Sequence, residues 1–239
     1  MVEPFDEARA KLAQSFGIVA KAEASEALSR CGVVVWAVKP QTFAEAAKPV
    51  RAFAADALHL SVAAGIPSDS IARWLGTERV VRAMPNTPAL VGKGMTGLFA
   101  RPGVESADRS TVGQLLAPTG ELLWVDTEPA LDAVTAMSGS GPAYVFYFIE
   151  AMAEAGTEMG LTPEQALRLA IGTFTGASAL AHSATEPPSV LRERVTSKGG
   201  TTYAAITSMQ AADVKSQFKT AIRAAQKRAA ELGEEFGRG

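Results

Sequence analysis

Val33-Val34-Val35-Trp36-Ala37-Val38-Lys39-Pro40-Gln41 is the stretch that decides the fold. Its first six residues are apolar throughout, with no polar residue alternating between them. That is the composition of a strand covered on both faces, the situation of a parallel sheet between layers of helix. At Lys39-Pro40 the run stops, and a helical pattern follows from Gln41 to Ala54. The same succession recurs along the first half of the chain. Upstream, Asp6 to Phe16 reads as a helix with Ala8, Leu12 and Phe16 on one face, and Ser25 to Arg30 as a second helical piece. Downstream, Leu58 to Val62 reads as a strand. Ser68 then caps a helix that runs through Leu75 and stops at Gly76. Val80 to Met84, Met95 to Ala100 and Glu121 to Val125 are further strands, the last two separated by a helix from Ser106 to Ala117. Repeated strand–helix units predict an open parallel sheet with helices on both faces and right-handed crossovers.

The pattern changes at Asp126. Beyond it the sequence predicts helices only, over 128–136, 141–160, 162–183, 190–194, 201–210 and 213–232. The expected division is therefore an α/β domain over 1–125 and an all-α domain over 126–239. Ala143-Tyr144-Val145-Phe146-Tyr147-Phe148-Ile149 is apolar almost all round its helix and must be buried. Burial inside the helical domain or against a second copy of the chain would both serve, and an interface between copies is the favoured expectation.

Composition narrows the function. The chain has 239 residues, room for one or two domains, and 47% of them are hydrophobic. With 23 basic against 25 acidic residues it has no bulk attraction for nucleic acid or an anionic membrane. The longest apolar stretch ends at Glu150, far short of the roughly 20 residues a membrane span needs. Met1 to Ala10 is polar and unlike a secretory leader. The expectation is a soluble, cytoplasmic chain that binds neither nucleic acid nor membrane. Cys31 is the only cysteine, which excludes an internal disulfide and a cysteine-rich metal site. It is expected to be a small buried residue in a reducing compartment. His59 and His182 are expected to be structural, and no metal site is expected.

Five stretches are candidates for chemistry. Val195-Thr196-Ser197-Lys198-Gly199-Gly200-Thr201-Thr202 places paired glycines and several hydroxyl residues before an alanine-rich helix. Glycines let the backbone approach a ligand closely, and the free N–H groups of a helix start bind a carboxylate or phosphate; an ordinary helix cap is the competing reading. Ser138-Gly139-Ser140-Gly141-Pro142 is a small-residue turn suited to close packing or to a binding loop. Val38-Lys39-Pro40 follows a parallel strand, where ligands of such sheets bind, although Lys39 read alone is a solvated charge. Arg82-Ala83-Met84-Pro85-Asn86-Thr87-Pro88 also follows a strand, and its prolines stiffen a loop around Asn86. Ala63-Ala64-Gly65 ends the strand between them in small residues, leaving room for a flat ring or for tight helix packing.

In order and spacing these stretches, with Asp132-Ala133-Val134-Thr135, resemble the pyrroline-5-carboxylate reductases, and the resemblance covers essentially the whole chain. It implies a Rossmann-like nicotinamide-binding domain followed by a helical domain for dimerisation and substrate binding, with rings of dimers as a further level of assembly. By that resemblance Ser197, Gly199, Gly200, Thr201 and Thr202 hold the carboxylate of pyrroline-5-carboxylate. Thr202 lies near the ring nitrogen and Glu186 is the acidic residue beside it. Val38, Lys39, Pro40, Ala63 and Ala64 pass the nicotinamide of NADPH or NADH, and Asn86 shapes the cofactor loop. Lys198 departs from the family's usual proline. The implied reaction is hydride transfer to a cyclic C=N bond, giving L-proline.

A Rossmann unit opens with a strand, a Gly-x-Gly-x-x-Gly/Ala loop and a helix. Here no glycine precedes Gly17, and Val2-Glu3-Pro4 resembles the end of a second strand. A start upstream of Met1 is the favoured explanation, with a shortened chain or rearranged first elements as the others. A sheet without that strand is expected to expose apolar strand edges. Glu3, at the end of such a strand, can bond a ribose 2′-hydroxyl and repels a 2′-phosphate, which tilts the expectation to NADH over NADPH. The alternatives are a non-catalytic oligomeric homologue and a related reductase of another small imine or keto acid.

Overall fold

The structure is a computed structural model and describes residues 1–237. By packing, the chain forms two compact units: Met1–Ser138 together with the chain from Lys227 onward, and Gly139–Gln226.

The first unit is built on a five-stranded sheet in the order β1 (Val33–Trp36), β2 (Leu58–Ser61), β3 (Val80–Met84), β4 (Gly94–Ala100), β5 (Gly120–Trp124). Before it lies helix α1 (Asp6–Phe16). Helices α2 (Pro40–Arg51) and α3 (Ser68–Leu75) are the crossovers that make β1, β2 and β3 parallel, and α4 (Ser106–Leu116) does the same between β4 and β5. The sheet is thus mostly parallel, as the sequence predicts, with β3–β4 its one antiparallel pair. A parallel crossover takes a dozen or more residues, and residues 85–93 hold only a 3₁₀ turn, Thr87–Val91, so the chain doubles back.

Both faces of the sheet are covered. Phe43, Ile66, Ile71, Leu75 and Val80 belong to one buried cluster, and Leu58, Leu60, Val81, Leu98 and Val112 to the other. Val80 and Val81, adjacent on β3, fall in different clusters, as the two-residue period of a strand requires. Glu128, just beyond β5, ties the layers. Its Oε1 accepts from the backbone N–H of Ser68 and from Arg82, both at 2.6 Å, and its Oε2 accepts from the Ser68 hydroxyl at 2.6 Å.

All of β2 is buried, including His59. The Trp36 indole Nε1 donates to His59 Nδ1 at 2.9 Å, and His59 Nε2 lies 2.9 Å from the Ala54 carbonyl. An indole N–H only donates and a carbonyl only accepts, so the ring is neutral with its proton on Nε2. Burial holds its pKa below the ordinary histidine value; the Ala54 bond opposes this and the Arg79 charge adds to it.

Residues 1–32 contribute only Ala24 and Leu28, both partly buried, to the packing around the core. None of residues 1–32 is fully buried, and Cys31, expected to be buried, is exposed because it precedes β1 in this outlying segment. The apolar stripe of α1 is only partly covered: Ala8 and Leu12 are half-buried and Phe16 is 71% exposed. Val2 and Lys21 form an isolated parallel bridge. Among the described residues no strand pairs with the outer side of β1, where Val35 is 53% exposed.

From Asp126 onward the described chain holds helices and no strand: α5 (Ala130–Val134), α6 (Gly141–Glu158), α7 (Pro163–Ser183), α8 (Pro188–Arg194), α9 (Thr201–Ala211) and α10 (Val214–Gly237). Thr162 caps α7 reciprocally with Gln165. Gly156 of α6 packs so closely on α7 that a Cβ there would sit 2.8 Å from the Ala166 Cβ. Between residues 139 and 226 only Gly156, Ala166 and Ala170 are buried. Phe146 and Tyr147, on the helix expected to be covered, are 63% and 69% exposed.

His59 supplies a pH test. With its folded pKa lowered, the unfolded chain binds the extra proton first. Its contribution is therefore intact above about pH 6.5, the unfolded value, and is lost as pH falls below it towards the folded pKa. Urea midpoints at pH 7.5 and 5.5 should fall more steeply in the parent than in His59→Gln. Equal pH dependence in the two chains would show that His59 is not the group responsible.

Candidate active site

In the first unit, the carboxyl ends of β1, β2 and β3 form one rim. The Val62 N–H donates to the Trp36 carbonyl at 3.0 Å, extending the β1–β2 ladder, so residues 37–40 and 62–65 leave the sheet side by side. Val38 is half-buried and packs against the core, Lys39 is exposed, and Pro40 opens α2. Ala63 is buried, Ala64 is exposed, and Gly65 turns the chain at φ 73°, in the left-handed region that favours glycine. The wall at the end of β2 thus presents nothing larger than a methyl group.

Asn86 follows β3, and its side chain is committed to the protein. Its Oδ1 accepts the Met95 N–H at 2.9 Å, while its Nδ2 donates to the Ser138 carbonyl at 3.2 Å and hydroxyl at 3.1 Å. The Ser138 hydroxyl in turn donates to the Met95 carbonyl at 3.2 Å. This clasp joins the loop after β3, the start of β4 and a π-helical turn, Thr135–Gly139. Such turns are frequent at functional sites. Asn86 stands out in the sequence, but Ser138 as its partner does not, because the two lie 52 positions apart.

The second unit holds Ser197, Gly199, Gly200, Thr201 and Thr202. Gly199 has φ 79°, in the left-handed region that favours glycine, and a Cβ on Gly200 would lie 2.8 Å from the Ser197 hydroxyl and 3.1 Å from the Ser197 carbonyl, so the turn is tight at both positions. Gly200 is the N-cap of the 11-residue helix α9 and brings no side-chain bond to its first turn. Ser197 and Thr201 are exposed and Thr202 is half-buried. The site therefore offers backbone donors at the positive end of a helix. Glu186 pairs with Arg194 through Oε1, a contact that its sequence spacing does not announce.

Glu3 lies in the first unit's outlying segment. Its N–H donates to the Lys21 carbonyl at 2.8 Å, and its Oε1 accepts the Phe5 N–H at 3.0 Å. Arg9 donates to its carbonyl at 2.8 Å. Among the described residues no group of three or more His, Cys, Asp or Glu side chains could hold a metal ion, and no helix is long and apolar enough to cross a membrane.

Residues 128–232 match the family described as pyrroline-5-carboxylate reductase dimerisation. A Pseudomonas aeruginosa protein named pyrroline-5-carboxylate reductase is 46% identical over 237 residues, which are 98% of this chain and 87% of that one. The chain belongs to the pyrroline-5-carboxylate reductase family. Its structure is similar to that of a family member from Coxiella burnetii, with TM-score 0.89 at 33% identity, covering 97% of this chain and 87% of that one. It is also similar to the Plasmodium falciparum pyrroline carboxylate reductase solved with NADP bound, with TM-score 0.83 at 28% identity, covering 97% and 86%.

The Asn86 clasp predicts a specific cost in this member of the family. Asn86→Ala leaves half-buried partners on Met95 and Ser138 without Asn86, and should lower unfolding stability by about 2 kcal/mol. Urea denaturation checks this, and a change within error would show that water replaces the amide without loss.

Proposed function

We propose that this chain reduces pyrroline-5-carboxylate to L-proline with NADPH or NADH. The observation that carries the reading is the opening of α9: paired glycines, the first at positive φ, and a first turn with no side-chain cap, in a chain that is a family member along 98% of its length. Backbone N–H groups of that turn hold the substrate carboxylate, flanked by Ser197, Gly199, Gly200, Thr201 and Thr202. The Thr202 hydroxyl orients the ring nitrogen. Glu186, steadied by Arg194, favours the protonated imine through its charge.

The first unit fits the nicotinamide end of the cofactor. Ala63 and Ala64 leave a low wall beside residues 37–40, at the strand ends where ligands of such sheets bind. Val38, Lys39 and Pro40 flank the ring on this reading, while Asn86 acts by fixing the loop after β3. Glu3 stands for the ribose contact. A reduced nicotinamide, when bound, supplies the hydride.

Residues 126–239 serve as the dimerisation and substrate-binding domain, and 1–125 as the nicotinamide-binding domain. The exposed Phe146 and Tyr147 support a homodimer through the helices, since few soluble chains leave such side chains uncovered together. Rings of dimers and a cytoplasmic setting accompany this reading.

Oxidation of NADH or NADPH by the 239-residue chain should depend on added pyrroline-5-carboxylate; none with either nucleotide would overturn the assignment. Thr202→Ala should lower kcat/KM roughly 10- to 100-fold, the worth of one hydrogen bond to a charged group. Unchanged kinetics would remove Thr202 from the mechanism. Phe146→Glu should convert the dimer to monomer in sedimentation, and an unaltered assembly would place the interface elsewhere.

A further inference from the structure

The end of α10 lies far in sequence from the rim of the sheet, yet it belongs to the first unit. Ala229 is buried there, and Phe236 packs against the cluster that contains Ala63 and Ile66. A Cβ on Gly65 would lie 3.2 Å from both Leu232 Cβ and Phe236 Cδ2. One residue beyond Phe236, a Cβ on Gly237 would lie 3.0 Å from Pro67 Cγ. The Gly237 carbonyl accepts from the Ser70 hydroxyl at 2.9 Å and from Arg73 at 3.2 Å. The helix end is thus hydrogen-bonded to α3 and laid across the turn that joins β2 to it.

That turn is held unevenly: Ala63 is buried and its N–H donates to the Ser61 hydroxyl at 3.3 Å, whereas Ala64 is exposed and Gly65 half-buried. Ala63 and Ala64 carry only methyl groups, and Gly65 is the residue type with most conformational freedom to lose. Small side chains leave room for a flat ring, but Ala64 and Gly65 bring little packing of their own to fix the backbone beyond Ala63. Leu232 and Phe236 supply that packing from behind. We infer that the last turns of α10 are a positioning element for the reaction, holding the Ala63–Gly65 turn against which the nicotinamide lies. This rests on the assignment of Ala63 and Ala64 to the nicotinamide in the preceding subsection.

The test uses the full chain, Phe236→Ala and the conservative Phe236→Leu. Hydrogen exchange is followed in a peptide covering 62–67, with β2 as internal control, and NADPH and NADH affinities are measured by fluorescence titration. Phe236→Ala should accelerate exchange in 62–67 and weaken nucleotide binding, each roughly tenfold for a lost contact of about 1.4 kcal/mol. The KM for pyrroline-5-carboxylate and the oligomeric state should stay as in the parent, and Phe236→Leu should recover most of both losses. Unchanged exchange in 62–67 would show that α10 does not hold the turn. Faster exchange with unchanged nucleotide affinity would make the helix end a structural cover only. A parent that binds neither nucleotide would overturn the nicotinamide assignment itself and this inference with it, whereas a parent and Phe236→Ala that bind equally would overturn this inference alone.

Discussion

A histidine in the middle of a strand buried along its whole length constrains the first unit more than any other residue. Burying His59 without partners would cost several kcal/mol, so both ring nitrogens must be matched, one by an indole N–H and one by a carbonyl. Trp36 comes from β1 and Ala54 from the segment leading into β2, so the ring can be satisfied only when those two strands are in register. A slip by one residue would turn His59 to the other face of the sheet and leave all three groups unpaired. The apolar contacts of β2 alone discriminate less sharply, because Leu58 and Leu60 share a face and can exchange places in a longer slip.

Register at β1–β2 sets the height at which each chain leaves the sheet. Residues 37–40 and 62–65 emerge together because Trp36 and Ser61 are paired partners. The third side of the rim is made differently. The connection after β3 is too short for a crossover, so the chain reverses, and the backbone groups of a reversing loop have no regular ladder to pair them. Asn86 answers that need by accepting the Met95 N–H, and its remaining amide hydrogens reach Ser138. The parallel part of the rim is therefore fixed by burial and the antiparallel part by side-chain hydrogen bonds.

The alternation of strand and helix was legible from the sequence because period and composition are local properties. Val33 to Trp36, Leu58 to Ser61 and Val80 to Met84 all form strands close to where their apolar runs place them. The reversal at β4 depends on loop length against crossover length, which a propensity reading does not weigh. The glycines at 199 and 200 stood out as a pair, and the structure gives the first a positive φ and the second a close approach to Ser197. Partners distant in sequence were invisible: Ser138 for Asn86, Arg194 for Glu186, and the end of α10 for Gly65. Helix α10 also runs past the expected end at Leu232, to Gly237, since Gly233 inside it is tolerated where its neighbours Leu232 and Phe236 are anchored. The misjudged Cys31 has the same origin, because burial is decided by what covers a residue and not by its type.

The two units differ in what stabilises them. The first buries large side chains on both faces of a sheet, whereas Gly139–Gln226 buries only a glycine and two alanines. Helices joined through small residues approach closely, but alanine and glycine bring little apolar area. Each large apolar side chain moved from water into an interface is worth about 1.5–3 kcal/mol, so covering Phe146, Tyr147 and their neighbours would add more than the buried alanines supply. A helical unit of this kind would gain rigidity on association. On the proposed role of the α9 opening, whose backbone donors could serve a ligand only when held still, such pairing would also fix the site.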